Sequence, residues 1–143
     1  MQLREIMSKQ VVRIHPEESV AVAARMLTRY NIGILPVCGN DGKLKGLVTD
    51  RDMVTRCLAA GKSPENTSVA EVMSRGIVAV RPDMDTSTAA ALMGSRQVRR
   101  LPVMENGRLC GMVSLGDLAV HREVAVQAAD TLCKISSSLS RRE

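Results

Sequence analysis

The sequence predicts an α+β fold made of two copies of a strand–helix–strand–strand–helix unit, followed by one further helix. Three observations predict it. Residues 6–40 align with 72–106 at an offset of 66, and after one gap opposite Asp41 the match continues at an offset of 65. Within each copy, short β-branched runs flank a stretch whose apolar residues recur at helical spacing. Beyond the second copy, Val124, Ala128, Leu132, Ile135 and Leu139 return at that spacing and mark an amphipathic helix. The identities Met7/Met73, Ser8/Ser74, Pro16/Pro82, Leu35/Leu101, Pro36/Pro102, Gly46/Gly111 and Asp52/Asp117 indicate a tandem duplication.

The elements follow in order. Val11, Val12 and Ile14 form a β-branched run that stops at Pro16. Ser19 is a good N-cap for a helix with apolar positions Val20, Ala23, Ala24, Leu27 and Tyr30. Ile34–Cys38 reads as the second strand, residues 39–43 (GNDGK) as a turn, and Leu44–Val48 as its antiparallel partner. Asp52–Ala60 form a closing helix that Gly61 terminates from C′. The second copy repeats this order, with Asp85 as N-cap and the tighter turn ENGR at 105–108. The expected organisation is a first repeat over 1–61, a linker over 62–68, a second repeat over 69–122, and an amphipathic C-terminal helix with a fraying tail over 123–143. Ser68 and Glu71 form a capping-box start for a short connecting helix.

Composition narrows the function classes. Of 143 residues, 45% are hydrophobic and 24% charged, as in globular proteins. Apolar runs such as 20–24 fall short of the ~18 residues that span a bilayer. Arg4, Glu5 and Lys9 interrupt any signal-like segment. Four cysteines without a C-x-x-C pair, and two histidines, point away from a structural zinc site and toward reduced thiols in a cytoplasmic protein. The cysteines are expected to act as small buried hydrophobes. There is no Trp or Phe and one Tyr, so the core must be aliphatic with Met as filler. A net charge of +5 favours anionic partners. The basic residues are scattered and aromatic platforms are absent, which argues against nucleic acid. No nucleophile–base pair or metal-ligand spacing suggests an enzyme.

One motif occurs at equivalent places in both copies. Gly46-Leu-Val-Thr-Asp-Arg-Asp52 and Gly111-Met-Val-Ser-Leu-Gly-Asp117 each lead from the third strand into the closing helix. The plain reading is a capping box, with Thr49 or Ser114 capping and Asp52 or Asp117 reaching back. A ligand site is compatible with it. The first turn of a helix offers amide hydrogens to a phosphate, and a carboxylate there can accept hydrogen bonds from a ribose diol.

The IMS and VMS openings at 6–8 and 72–74, ILPV at 34–37, RLPV at 100–103 and the two Gly-x-x-Thr/Ser-x-x-Asp motifs resemble tandem cystathionine-β-synthase (CBS) domains forming a Bateman module. The resemblance covers about residues 1–122 and is similar to small stand-alone bacterial CBS-pair proteins. It implies a non-catalytic sensor of adenosine-containing ligands (AMP, ADP or ATP, with NAD or S-adenosylmethionine as alternatives), bound in two pseudo-twofold-related clefts between the repeats. One cleft would pair Ser114, Asp117 and Met112 with Val12, Ile32 and Gly33. The other would pair Thr49, Asp52 and Leu47 with Val78, Val98 and Arg99. Arg51 and Arg99 flank the Asp52 cleft, where Gly116 and Gly33 stand in the other. Two guanidiniums suit a phosphate, so the Asp52 cleft is expected to prefer the more anionic nucleotide. The resemblance also implies a homodimer, a disk of four repeats, and a regulated protein partner not named by the sequence. The competing readings are nucleic-acid binding and a purely partner-docking structural role.

Overall fold

The computed structural model describes residues 1–121 and 124–142, with side chains through 137. The chain forms two compact units, Val12–Ile77 and a composite of Met1–Val11 with Val78–Glu143. The 12–77 unit contains α1 (Val20–Tyr30), β1 (Ile34–Cys38), β2 (Leu44–Thr49), α2 (Asp50–Met53, continuing as a π-helical turn over Val54–Leu58) and α3 (Val69–Val72). The composite unit contains a 3-10 turn at Leu3–Glu5, α4 (Thr86–Arg96), β3 (Arg100–Glu105), β4 (Arg108–Ser114), α5 (Leu115–Ala119) and α6 (Ala125–Arg142).

Local signals in the sequence become caps in the structure. The Ser19 hydroxyl accepts the Val22 N–H at 3.1 Å and starts α1. Asp85 does the same for α4, accepting the Ser87 N–H at 3.1 Å and lying 3.3 Å from the N-terminal amine. Those bonds, the Ser87 hydroxyl first among them, hold the Asp85 carboxyl below the usual carboxylate range. α1 and α4 both end on a left-handed residue, Asn31 (φ 52°) and its repeat equivalent Gln97 (φ 58°).

Each unit has a two-stranded antiparallel sheet in equivalent register. Leu35 faces Val48 and Val37 faces Gly46; Leu101 faces Val113 and Val103 faces Gly111. The strand read at Val11–Ile14 contracts to one residue. Ile14 donates to the Pro36 carbonyl at 3.0 Å and accepts from Cys38 at 2.9 Å, a single parallel bridge. The next rung would need an N–H from Pro16, which has none. Val80 and Pro82 repeat this arrangement against β3. On the other edge, Ser74 exchanges two backbone hydrogen bonds with Leu47 (3.0 and 2.8 Å), and Ser8 does so with Met112 (2.8 and 3.0 Å). Both sheet edges are thereby covered by short segments.

The cores are aliphatic. Ile14, Leu35, Val37, Val48, Val69 and Val72 lead in the 12–77 unit. Leu3, Met93, Leu101, Val103, Val113 and Leu118 lead in the composite unit. Tyr30 is 45% exposed and Ala24 is exposed, so neither is a core position of α1 as its spacing suggested.

The closing helix of the first repeat starts earlier than Asp52, at Asp50, because Thr49 caps it and Asp52 is its third residue. From Val54 it widens, with the Ala59 N–H bonded to the Val54 carbonyl at 2.8 Å. Gly61 (φ 73°) then ends it, as expected.

Val124, just before α6, and Ala128 and Ile135 on it are buried against the composite core, but Leu132 is 44% exposed. Thr131 takes the inward place instead, its hydroxyl donating to the Ala90 carbonyl at 2.8 Å. The side chain of Leu139 lies outside the described residues. The α6 backbone is helical through Arg142, across most of the stretch where fraying is expected, and Glu143 lies outside the described residues. Among the described residues, no helix is long and apolar enough to cross a membrane.

Candidate functional site

Each unit presents the same turn, where a hairpin strand runs into a short helix. In the 12–77 unit the Asp52 N–H bonds the Thr49 hydroxyl at 3.1 Å, and Asp52 Oδ2 accepts the Thr49 N–H at 3.0 Å. In the composite unit the Asp117 N–H bonds the Ser114 hydroxyl at 3.0 Å, and Asp117 Oδ2 accepts the Ser114 N–H at 2.8 Å. Both motifs are therefore complete capping boxes. Each uses one carboxylate oxygen. Among the described residues, the second oxygen, Oδ1, accepts no protein hydrogen bond in either case.

The two carboxylates differ in their surroundings. Asp52 is buried, and its Oδ1 lies 3.9 Å from Nε of Arg56. Asp117 is half-buried, and among the described residues no cation lies within ion-pair distance of it. At the position equivalent to Arg56 the second repeat has His121. Arg56 escaped the sequence reading, which paired Asp52 with Arg51. The i,i+4 spacing from Asp52 to Arg56 on one helix was the available signal.

The helix start differs from expectation on α2. The Asp50 N–H goes to the Gly33 carbonyl (3.2 Å), the Arg51 N–H to Asp50's own carboxylate (2.8 Å) and the Asp52 N–H to Thr49. The amide hydrogens anticipated for a phosphate are already engaged, by the Gly33 carbonyl, the Asp50 carboxylate and the Thr49 hydroxyl. On α5 that position is Leu115, whose N–H goes to the Arg99 carbonyl at 2.8 Å.

The remaining candidates group as follows. Gly33 and Ile32 sit beside the Thr49 turn in the 12–77 unit, and Arg99 and Val98 beside the Ser114 turn in the composite unit. Val12 and Ile32 pack on the 12–77 core, and Val78 and Val98 on the composite core; all four are half-buried. Leu47 and Met112 are half-buried on the outer strands, with main chains paired to Ser74 and Ser8. The Arg51 and Arg99 side chains are exposed.

The glycine of each motif has a structural cause. A Cβ on Gly46 would stand 2.7 Å from the Ser74 carbonyl oxygen and 2.8 Å from Met73 Sδ. A Cβ on Gly111 would stand 2.7 Å from Met7 Sδ and 3.0 Å from the Ser8 carbonyl oxygen. The recurring Met-Ser and the recurring Gly are thus two halves of one contact.

The cysteines divide. Cys38 and Cys57 are buried, Cys110 is half-buried and Cys133 is exposed, so Cys133 is not the buried hydrophobe expected. Burial raises the Cys38 and Cys110 thiols above their ordinary pKa. Among the described residues no group of three or more His, Cys, Asp or Glu side chains is placed to hold a metal ion.

The CBS domain family model matches residues 3–59 and 69–123. The CBS domain-containing protein YhcV of Bacillus subtilis is 38% identical over 134 residues, covering 94% of this chain and 94% of its own length. The crystal structure of Hypoxic Response Protein I with two coordinated zinc ions matches with a TM-score of 0.78 at 36% identity, over 85% of this chain and 98% of that one. The CBS domain pair of protein MJ0100, solved in complex with 5′-methylthioadenosine and S-adenosyl-L-methionine, matches with a TM-score of 0.75 at 27% identity, over 84% and 94% of the two chains.

Proposed function

This chain belongs to the CBS domain family, with two copies of the domain in tandem, and from that premise we propose that it is a non-catalytic regulatory module binding an adenosine-containing ligand. The ligand class is AMP, ADP or ATP, with NAD and S-adenosylmethionine as alternatives. The observation that carries this reading is the Oδ1 of Asp52 and of Asp117, which among the described residues accepts no protein hydrogen bond. Each carboxylate is fixed by its own cap through Oδ2 and keeps a second acceptor, which a ribose diol can engage with two charge-assisted hydrogen bonds. The cap and the ligand site are one device used twice. The adenosine ligands of the MJ0100 CBS pair support the ligand class.

In this reading the repeats share two clefts. Ser114, Asp117 and Met112 act with Val12, Ile32 and Gly33; Thr49, Asp52, Arg51 and Leu47 act with Val78, Val98 and Arg99. Because the first amides of α2 are engaged, anionic groups at the Asp52 cleft must be met by the exposed guanidiniums of Arg51 and Arg99. That cleft takes the more highly charged nucleotide. Ligand binding regulates a protein partner by favouring one of two conformations, which requires different affinities for the two.

Isothermal titration of AMP and ATP into the wild-type chain, Asp52→Ala and Asp117→Ala tests this. ATP affinity is expected to fall at least tenfold in Asp52→Ala, about the loss of one hydrogen bond to a charged group, and to survive in Asp117→Ala. Survival of ATP binding in Asp52→Ala with its loss in Asp117→Ala reverses the assignment. Failure of the wild-type chain to bind any of the adenosine ligands removes the reading and leaves a partner-docking role.

We further propose a homodimer built on the helical face of the 12–77 unit. In the composite unit, α6 covers Ala90 and Gly94 of α4. Their repeat equivalents on α1, Ala24 and Thr28, are exposed, together with Tyr30 and with Val54 and Leu58 (60% exposed) on α2 and its π-helical turn. An apolar face of this kind marks an association surface. Sedimentation is expected to show two chain masses for the wild type and one for Val54→Asp/Leu58→Glu; a wild-type monomer at all concentrations refutes the dimer.

A further inference from the structure

We propose that Arg56 is a positioning residue that couples the Asp52 carboxylate to the segment by which the chain leaves the 12–77 unit. This deepens the ligand reading above and rests on it for its functional half.

α3 ends at Val72; the Met73 N–H closes its turn on the Val69 carbonyl, and the Val72 and Met73 carbonyls that follow are left to other donors. Arg56 meets them from α2. One guanidinium nitrogen donates to the Val72 carbonyl at 3.1 Å and to the Met73 carbonyl at 3.1 Å. The same guanidinium faces Asp52, with Nε 3.9 Å from Oδ1. A planar fork can serve a helix end and a carboxylate together, which an ammonium point charge cannot.

The segment so held has little freedom. Val72 is fully buried, Met73 lies against Gly46, and Ser74 is paired twice with Leu47; the unit ends soon after, at Ile77. Arg56 therefore joins the Oδ1 of Asp52 to the exit segment directly, beside the longer link that runs from Ser74 through Leu47 and β2. Hydroxyls donating to Oδ1 draw on the negative charge that the positioned guanidinium faces and shift its hold onto the carbonyls, so an occupied Asp52 site alters residues 72–77. Among the described residues the second repeat lacks the device. His121 stands at the equivalent position, and among the described residues the Asp117 carboxylate has no cation in reach. Coupling through the exit segment belongs to one motif of the two.

The test uses the full chain with Arg56→Gln, Arg56→Lys, Asp52→Asn and the double variant Asp52→Asn/Arg56→Gln, each checked for folding by thermal melt. Without ligand, hydrogen exchange at the Leu47 and Ser74 amides is expected to quicken in Arg56→Gln and in Asp52→Asn. The double variant should go no further than the larger single change, the mark of coupled residues. With AMP and ATP, affinity at the Asp52 site falls about tenfold in Arg56→Gln and Arg56→Lys, the Asp117 site is unchanged, and nucleotide no longer alters exchange over 72–77. Additive ligand-free effects overturn the coupling, as does a nucleotide response over 72–77 that persists in Arg56→Gln. A wild-type chain that binds no nucleotide sinks the ligand reading alone, because the ligand-free arm still decides whether Arg56 positions Asp52.

Discussion

Leu3→Ala is expected to destabilise the composite unit by about 2–5 kcal/mol, the range for truncating a fully buried leucine, although Leu3 lies at the start of the first repeat in sequence. The side chain is completely buried in the core of the composite unit, a cluster it shares with Met93, Leu101 and Leu118 of the second repeat. Its backbone is also committed there. The Leu3 N–H bonds the Met84 carbonyl at 2.9 Å, the Arg4 N–H bonds the Pro82 carbonyl at 2.9 Å, and Ser8 closes the edge of β4. Truncation leaves a cavity that these anchored neighbours cannot collapse into. The measurement is native-state hydrogen exchange read unit by unit, alongside denaturant unfolding. Amides over 80–118 should lose protection, while those of Val12–Ile77 keep theirs. Loss of protection over 20–57 instead would show that Leu3 serves the repeat it belongs to in sequence.

That exchange of segments was not legible in the sequence, and the reason is physical. The caps at Ser19 and Asp85, the hairpins with their turns, and both capping boxes are made by residues a few positions apart, so spacing alone identifies them. Duplication strengthened each by showing it twice. Pairings across long separations leave no such mark. That Met7 and Ser8 pack on Gly111, or Met73 and Ser74 on Gly46, is invisible until the chain is folded, although the recurrence of all six residues was plain. The same limit applies to the candidate site. The turns carrying Thr49, Asp52, Ser114 and Asp117 are local and were readable, whereas Arg56 acts through carbonyls of residues 72 and 73. Likewise, only geometry shows that the Asp50 carboxylate takes the Arg51 amide hydrogen, one of those a phosphate would use.

Gly46→Ala is expected to cost about 1–3 kcal/mol, as overpacking in a fixed surround does, and Gly111→Ala less. Neither glycine has a positive φ, so alanine can adopt the backbone conformation at both sites. Alanine would then gain about 0.4–1 kcal/mol by stiffening the unfolded chain, and any net loss has to come from space. At Gly46 the new Cβ meets a backbone oxygen, that of Ser74, at 2.7 Å, and Ser74 is held by two hydrogen bonds to Leu47. Relief requires parting the β2 edge that leads into Thr49 and Asp52. At Gly111 the nearest atom is Met7 Sδ, on a flexible side chain that can swing aside, and the Ser8 carbonyl is farther, at 3.0 Å. Thermal melts of the single variants and of the pairs with Met73→Ala and Met7→Ala separate the causes, at ~2–4 °C per kcal/mol for a chain of this size. Met7→Ala should absorb most of the penalty of Gly111→Ala, a strong coupling in the double-mutant cycle. Met73→Ala should leave most of the penalty of Gly46→Ala in place, because the carbonyl remains. Equal rescue at both sites would mean that the sulfur contacts, and not the Ser74 backbone, exclude a side chain from Gly46.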